Sequence, residues 1–394
     1  MNDMPQRFLL CILLAFLAGT GAMAISIDPN LPAADHNLSL KKEIQASIHR
    51  GLAWLQKNQD AAGHWSSPDY PAITALALCS FMGDPSHSYP AAEQPFIRKG
   101  LDCILKNVQP DGGIYVKDLA AYNTSVSMMA LVAAGDPDYE PVLRNARRFL
   151  IGLQDDFGEK RMGDSPYDGG IGYGGRYDHS DMSNTVLALE ALYYTKYLNN
   201  DLSPKERTVT DLNWKAAIQF IQRCQNLPSH NDQAWASDDP ANKGGFVYFP
   251  GDSKAGEMTT DSGKTALRSY GSMSYAGLLS YIYADLDRDD PRVTAVVDWL
   301  RKSYTLEENP GMGQEGLYYY YHTMVKALAL YGMNELTLVS GKTVDWRREL
   351  ALKLFNLQQP DGSWMNDNGR WWEKDPVLVT SYVTLALEVI YRGL

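Results

Sequence analysis

The feature that most constrains this chain is a turn that keeps coming back. Arg50-Gly51 leads through Trp54-Leu55 to Gln59, Gly63 and Trp65; Lys99-Gly100 leads to Gln109-Pro110-Asp111-Gly112-Gly113; Phe355 leads to Gln359-Pro360-Asp361-Gly362-Ser363-Trp364. Weaker copies start at Phe149 (then Gln154 and Gly158), Phe220 (then Gln225 and Gly244-Gly245-Phe246) and Trp299 (then Gly311 and Gly313). Self-similarity at a fixed period marks an architecture in which each unit buries its apolar face only against its neighbours.

Each turn separates two helical stretches of different character. The stretch before it is amphipathic, as in Lys41 to Lys57, and reads as an outer helix. The stretch after it is small, apolar and nearly without a polar face: Ile73 to Phe81, Thr124 to Ala134, Ser183 to Tyr197, Ser272 to Ala284, His322 to Tyr331 and Ser381 to Tyr391. A helix with so little to show water is buried on most sides. Stops such as Gly83-Asp84-Pro85, Gly135-Asp136-Pro137 and Asp290-Pro291 pair an N-cap residue with a first-turn proline, so each also starts the next outer helix. Six inner and six outer helices predict an all-α fold, a closed (α/α)6 toroid, occupying residues 25–394 as a single domain. The longest insertions, Arg161 to His179, Pro228 to Lys264 and Thr305 to Gly316, all precede inner helices, which puts function at one mouth of the central cavity.

Composition narrows the classes. With Arg7, the apolar run Phe8 to Ala18 and the small-x-small triplet Ala22-Met23-Ala24, residues 1–24 read as a cleaved export signal, giving a periplasmic or extracellular chain starting near Ile25. A net charge of −11 argues against nucleic acid, and no apolar run after the signal is long enough to span a membrane. Cys79, Cys103 and Cys224 remain after the signal; they form no C-x-x-C pair and read as buried small apolar groups. No cofactor and no metal site are expected.

These repeats resemble the Gln-Trp repeats of squalene cyclases and of protein prenyltransferase β subunits, through Gln59/Gly63/Trp65, Gln359/Gly362/Trp364 and Gly244-Gly245-Phe246. The resemblance implies a toroid in which Gln59, Trp65, Gln109, Gln359 and Trp364 staple neighbouring outer helices. The chemistry of the family does not carry over as readily. Cyclases need a strong aspartic acid at an inner-helix start within an Asp-x-Asp-Asp string. The literal match here, Asp287-Arg288-Asp289-Asp290, falls after an inner helix and before Pro291, where it reads as an N-cap. Aligning Thr185-Val186-Leu187-Ala188-Leu189 puts Asp181-Met182-Ser183-Asn184 in the motif's place, with Ser183 where the resemblance implies the proton donor. Likewise Tyr321-His322-Thr323 resembles the prenyltransferase zinc histidine, but Arg268 and Tyr270 stand where an acid and a thiolate are needed.

What remains is a polar ring predicted at one level of the inner helices: Ser125, Ser183, Ser272, His322 and Ser381, with Asn123, Asp181, Tyr270 and Tyr320 one turn outward and Lys264 and Arg268 near the rim. His322, Asp181 and Tyr270 are the candidate acid–base residues, because an imidazole titrates near neutral pH. The 24 tyrosines, including Tyr318 to Tyr321 (Tyr320 and Tyr321 among the cavity candidates), together with Trp371-Trp372, suit an aromatic cavity for an isoprenoid or similar amphipathic ligand. Two other readings stay open. Acid pairs (Asp178 with Asp181, Glu307 with Glu315) suit a carbohydrate lyase or hydrolase, and the loss of both catalytic signatures suits a non-catalytic binding module.

Overall fold

The computed structural model describes residues 37–156, 165–174, 177–200, 203, 211–261 and 263–394; the export signal predicted over residues 1–24 lies outside them. Among the described residues twelve α-helices follow one another: α1 (Leu38–Lys57), α2 (Pro71–Met82), α3 (Pro95–Lys106), α4 (Ala120–Ala134), α5 (Glu140–Gly152), α6 (Met182–Tyr194), α7 (Trp214–Arg223), α8 (Gly271–Tyr283), α9 (Pro291–Ser303), α10 (Leu317–Leu330), α11 (Trp346–Leu357) and α12 (Pro376–Arg392). The odd-numbered helices carry an apolar stripe. In α1 it is Leu40, Ile44, Ile48, Leu52 and Leu55, the spacing of a single helix face. The even-numbered ones are apolar on all sides, and in α8 every residue from Gly271 to Tyr281 is buried.

That difference sorts the helices into two layers. Each even-numbered helix packs against the next even-numbered one, and α12 packs against both α10 and α2, so the inner layer closes into a ring. The outer layer closes as well. Gln358 Nε2, at the end of α11, donates to the Ser47 carbonyl of α1 (3.0 Å), while Asn37 Nδ2 at the start of α1 ties it to the end of the inner helix α12 through the Leu394 carbonyl (3.3 Å). The chain is an α/α toroid.

The recurring turn explains why neighbouring pairs sit at a fixed spacing. The glutamine amide reaches the carbonyl of a glycine in its own turn and a carbonyl on or just before the next outer helix. Gln59 bonds Gly63 and Phe96 (2.8 and 2.9 Å), Gln154 bonds Gly169 and Asn213 (2.9 and 3.0 Å), and Gln225 bonds Gly244 and Arg292 (both 2.9 Å). The residue that follows the glycines donates its backbone N–H to a hydroxyl on the coming inner helix: Trp65 to Thr74, Ile114 to Thr124, Ile171 to Thr185, Phe246 to Ser274 and Trp364 to Thr380, at 2.9–3.1 Å. Trp65 and Trp364 also return their indole N–H to Leu55 and Leu354 at the end of the preceding helix (2.7 and 2.9 Å). Glycine is required at the crossing point. Gly169 and Gly244 have φ of +91° and +90°, and a Cβ there would lie 2.0 Å from a carbonyl oxygen of the next outer helix.

Three positions depart from the sequence reading. The staple of the last turn is Gln358 rather than Gln359, because the amide must meet a carbonyl four residues on, and that residue is Gly362 (2.9 Å). Gln109 bonds Tyr115 O within its own turn (2.7 Å) and stitches no neighbour. The third turn uses Gly169, fifteen residues after Gln154; Gly158 lies outside the described residues.

Candidate functional site

The even-numbered helices all start at the same rim, and the long connections before them fold over it. Two of these contain antiparallel hairpins, β1 (Gly172–Gly174) with β2 (Tyr177–Ser180) and β3 (Glu257–Thr259) with β4 (Thr265–Leu267). The connection before α8 is tied down through Tyr248, whose carbonyl accepts from Met182 N at the start of α6 (2.9 Å).

Beneath these loops lies a cavity of about 270 Å³. Its walls are six tyrosines (Tyr122, Tyr173, Tyr248, Tyr270, Tyr319 and Tyr382), the Trp371-Trp372 pair and the aliphatic side chains of Leu119, Leu187, Met273 and Leu378. Ser183, Asn184 and Ser272 supply the other polar atoms, and no carboxylate, lysine or arginine lines the cavity among the described residues. The phenols face one another: Tyr122 and Tyr382 hydroxyls are 3.5 Å apart, as are those of Tyr248 and Tyr173. Burial pushes the Tyr173 hydroxyl up to about 12 and the Tyr248 and Tyr270 hydroxyls far higher, so all stay neutral hydrogen-bonding groups.

Trp371 and Trp372 form the lip, each 44% exposed and both in left-handed backbone (φ +53° and +65°). Non-glycine residues adopt that conformation only where surrounding contacts hold them. Here Trp372 sits edge-on to Tyr70 (4.4 Å), Arg370 lies over Trp371 (4.7 Å) and pairs with Glu315 (2.8 Å). The buried Glu373 fixes the other side. Its carboxylate accepts from Tyr319 N (2.8 Å) and Asn366 Nδ2 (2.7 Å), so a residue of the lip caps the first turn of α10.

The candidate residues divide into those that reach the cavity and those that do not. Tyr270, Ser183, Ser272 and Trp372 line it. Asp181 stands directly behind the wall: it is fully buried, N-caps α6 by accepting from Asn184 N (2.9 Å), and accepts from Asn184 Nδ2 (2.7 Å). Burial pushes its carboxyl up to about 6 despite those bonds. Asp181 and Tyr270 occupy the same place on successive inner helices, with identical backbone angles of −143° and 160°.

The predicted level of the polar ring is wrong for three members. Ser183 and Ser272 are the second residues of their helices, whereas Ser125, His322 and Ser381 are the sixth, since α4, α10 and α12 begin at Ala120, Leu317 and Pro376. Four residues of helix place them roughly 6 Å deeper. His322 packs on Tyr382 (ring centroids 5.1 Å apart) with Nδ1 3.4 Å from the Tyr382 carbonyl. Burial and the nearby Lys326 push its imidazole down to about 3, so it is neutral at physiological pH. One turn further, Lys326 reaches across the ring to Glu190 on α6 (2.6 Å). Ser381 donates to Val377 O (2.8 Å); Ser125 is buried in the wall between helices.

The rest face other ways. Asn123 accepts from Ala72 N (3.1 Å) and caps α2. Tyr320 and Tyr321 point outward to the Thr305 and Leu306 carbonyls (2.8 and 2.5 Å), leaving Tyr319 as the member of that run in the cavity. Arg268 is exposed on the β3–β4 hairpin with Nε on Glu257 O (3.1 Å). Of the acid pairs, Glu307 is matched with Lys353 (2.6 Å) and Glu315 with Arg370, so neither forms a carboxylate pair; the Asp178 side chain lies outside the description. Asp290 N-caps α9 through Arg292 N (2.9 Å). No group of histidine, cysteine, aspartate and glutamate among the described residues is arranged to hold a metal ion, and no helix among them is long and apolar enough to cross a membrane. Sequence reasoning missed Asn184 and Glu373; the string Asp181-Met182-Ser183-Asn184 held the first, and nothing local marks the second.

No family model and no curated protein matches the sequence. Solved structures do. A variant of the type II terpene cyclase MstE from Scytonema, in complex with its product merosterolic acid A, superposes with a TM-score of 0.54 at 11% identity, covering 91% of this chain and all of that one. Another MstE variant, holding the substrate geranylgeranyl dihydroxybenzoate, gives 0.51 at 12% identity over 91% of this chain, and the apo enzyme gives 0.52 at 13% identity over 90%. At that identity the likeness concerns architecture: this chain has a terpenoid-cyclase-like α/α toroid fold.

Proposed function

We propose that the chain is an exported toroid that binds a neutral amphipathic ligand of isoprenoid type in its central cavity. The observation that carries the reading is the wall itself: eight aromatic side chains and a few hydroxyl and amide groups, with no ionised group among the described residues. Such a lining accepts branched unsaturated hydrocarbon by burial and π contact, and its phenols and serines suit a small polar end. The volume of about 270 Å³ falls just below the range of small-molecule sites, roughly 300 to 1,000 Å³. The terpene cyclases that share the fold hold prenylated substrate and product, which supports the ligand class.

The reading is of binding rather than of alkene protonation. A serine hydroxyl at position 183 is no acid for a polyene, and Asp181 is turned into the helix by its bonds to Asn184. The glycan alternative is weaker because the lining offers no acid pair among the described residues. The test is direct. Farnesol titrated into the purified chain should quench tryptophan fluorescence and raise the thermal midpoint, as any ligand of the native state does; a cello- or chito-oligosaccharide should do neither. The reverse pattern, or cyclised product from a polyene in the same incubation, refutes the reading. Mass analysis of the exported chain should find Ile25 at its start.

A further inference from the structure

Below the aromatic cavity the inner helices go on presenting one accessible stripe. In α10, from Leu317 to Ala329, the residues that keep some accessible surface are Tyr319, His322, Lys326 and Ala329, at the three- and four-residue spacing of a single helix face. Tyr319 lines the cavity, so that face is the lumenal one, and the residues beneath it carry a narrow lumen on toward the other end of the toroid. The pattern recurs in α4 (Tyr122, then half-buried Met129) and in α12 (Tyr382, then half-buried Leu385), starting each time from a cavity tyrosine.

Across that passage stands an ion pair. Lys326 Nζ meets Glu190 Oε2 at 2.6 Å, with the two side chains 19% and 10% exposed. They come from α10 and α6, each of which packs on the intervening α8 rather than on the other, so the bridge is a chord of the ring. Glu190 is the ninth residue of α6 and Lys326 the tenth of α10, so the bar lies level. Cys79, the ninth residue of α2 on the far side of the ring, feels both groups: burial first, then the charges of Glu388 and Glu190, push its thiol up to about 12, and Lys326 opposes them. Such a reach fits side chains that project into the shared lumen.

The level of the bar fixes a length. Seven residues of helix separate Lys326 from Tyr319, about 10 Å along the axis. An isoprene unit adds four carbon–carbon bonds of about 1.5 Å, roughly 5 Å when extended. About two units therefore fill the space between Tyr319 and the bar, and a third reaches back to the Trp371-Trp372 lip. A fourth would have to push between Lys326 and Glu190, and separating a buried pair leaves uncompensated charge against hydrocarbon.

We infer that the Lys326–Glu190 bridge is the floor of the binding site and sets the longest chain it accepts at about three isoprene units, so that the lumen takes a farnesyl chain and turns away a geranylgeranyl one. This rests on the isoprenoid reading above and names the chain length that reading leaves open.

The test titrates farnesol and geranylgeraniol into the full chain, followed by tryptophan fluorescence. Geranylgeraniol should bind about ten- to a hundredfold more weakly, the range expected when buried polar groups lose their partners. Glu190→Gln combined with Lys326→Ala shortens the bar without stranding a buried charge, and should bind geranylgeraniol at least as tightly as farnesol. Trp372→Ala, at the opposite end of the site, should weaken both alcohols and keep the preference for farnesol. The wild-type comparison alone decides the matter should the double variant fail to fold. Equal affinities in the wild type, a wild-type preference for geranylgeraniol, or a farnesol preference that survives in the double variant each overturn the inference while leaving the isoprenoid reading intact. Binding of neither alcohol to the wild type overturns both.

Discussion

Asp181 links the stability of the toroid to pH in a way that can be measured against its own amide variant. Its carboxyl is fully buried, and burial outweighs the two bonds from Asn184, raising it from 3.8 to about 6. A carboxyl that protonates more readily in the folded state than in the unfolded one favours folding most when both states are protonated. That contribution is fully present below pH 3.8, is lost as pH rises through about 6, and stays lost above it. Each pH unit between the two values corresponds to about 1.4 kcal/mol, so roughly 3 kcal/mol is at stake. Many other carboxyls titrate in the same window, Asp84, Asp232 and Asp290 in the opposite direction. The useful quantity is therefore the difference between wild type and Asp181→Asn, in which this one titration is missing and the cap acceptor is kept. Urea unfolding of both at pH 7.5 and 4.5 should show the difference moving toward the wild type by about 2 kcal/mol on acidification. A difference that stays flat within about 0.5 kcal/mol would mean that the carboxyl is solvated, and the placement of Asp181 behind the cavity wall would be wrong.

Three further substitutions test separate parts of the structure. Gln225→Ala should cost about 3 kcal/mol in urea unfolding, because it leaves the Gly244 carbonyl and the Tyr281 hydroxyl without partners and removes the bond to the Arg292 carbonyl of α9, all made to that side chain at 2.9 Å; a cost below about 1 kcal/mol would deny the staple its role. Trp372→Ala should weaken farnesol about tenfold by fluorescence or calorimetry while changing folding stability by less than about 1 kcal/mol, since the side chain is 44% exposed yet lines the cavity. Glu373→Leu should destabilise by about 3 kcal/mol and weaken farnesol as well, because it uncaps α10 next to Tyr319; loss of stability with unchanged ligand affinity would separate the cap from the site.

The fold was legible because the features that make it are local and repeated. A glutamine, a glycine and a large residue at near-fixed spacing encode the staple, the close crossing and the backbone bond to the next helix, and the polarity contrast between Lys41–Lys57 and Ile73–Phe81 encodes which layer each helix joins. The site was less legible because helix starts were not. In Leu317–Leu330 and Pro376–Arg392 the first turn is as apolar as the rest, so nothing in composition says that His322 and Ser381 lie beyond it. An error of five residues carries a side chain past a full turn, from the cavity rim into the packed interior. Glu373 was invisible for another reason: it caps a helix that starts 56 residues earlier in the chain, and only the closed ring brings the two together.

The same geometry explains why the acids nearest the cavity are not available to it. All six inner helices begin at the mouth, and each helix start carries a partial positive charge of roughly half a unit. The first-turn N–H groups need acceptors, and polar side chains at this rim supply them for five of the helices: Asn123 for α2, Asp181 for α6, Asn309 for α8, Glu373 for α10 and Asp375 for α12, at 2.8–3.1 Å. Each carboxylate engaged in this way faces backbone instead of lumen. The lumen is left with phenols, indoles and hydroxyls, ringed by helix ends whose charge is locally compensated. A cation formed there would have π faces for company but, among the described residues, no carboxylate in the lining, whereas a neutral chain finds hydrocarbon contact along its length and phenol and serine hydroxyls for a polar end.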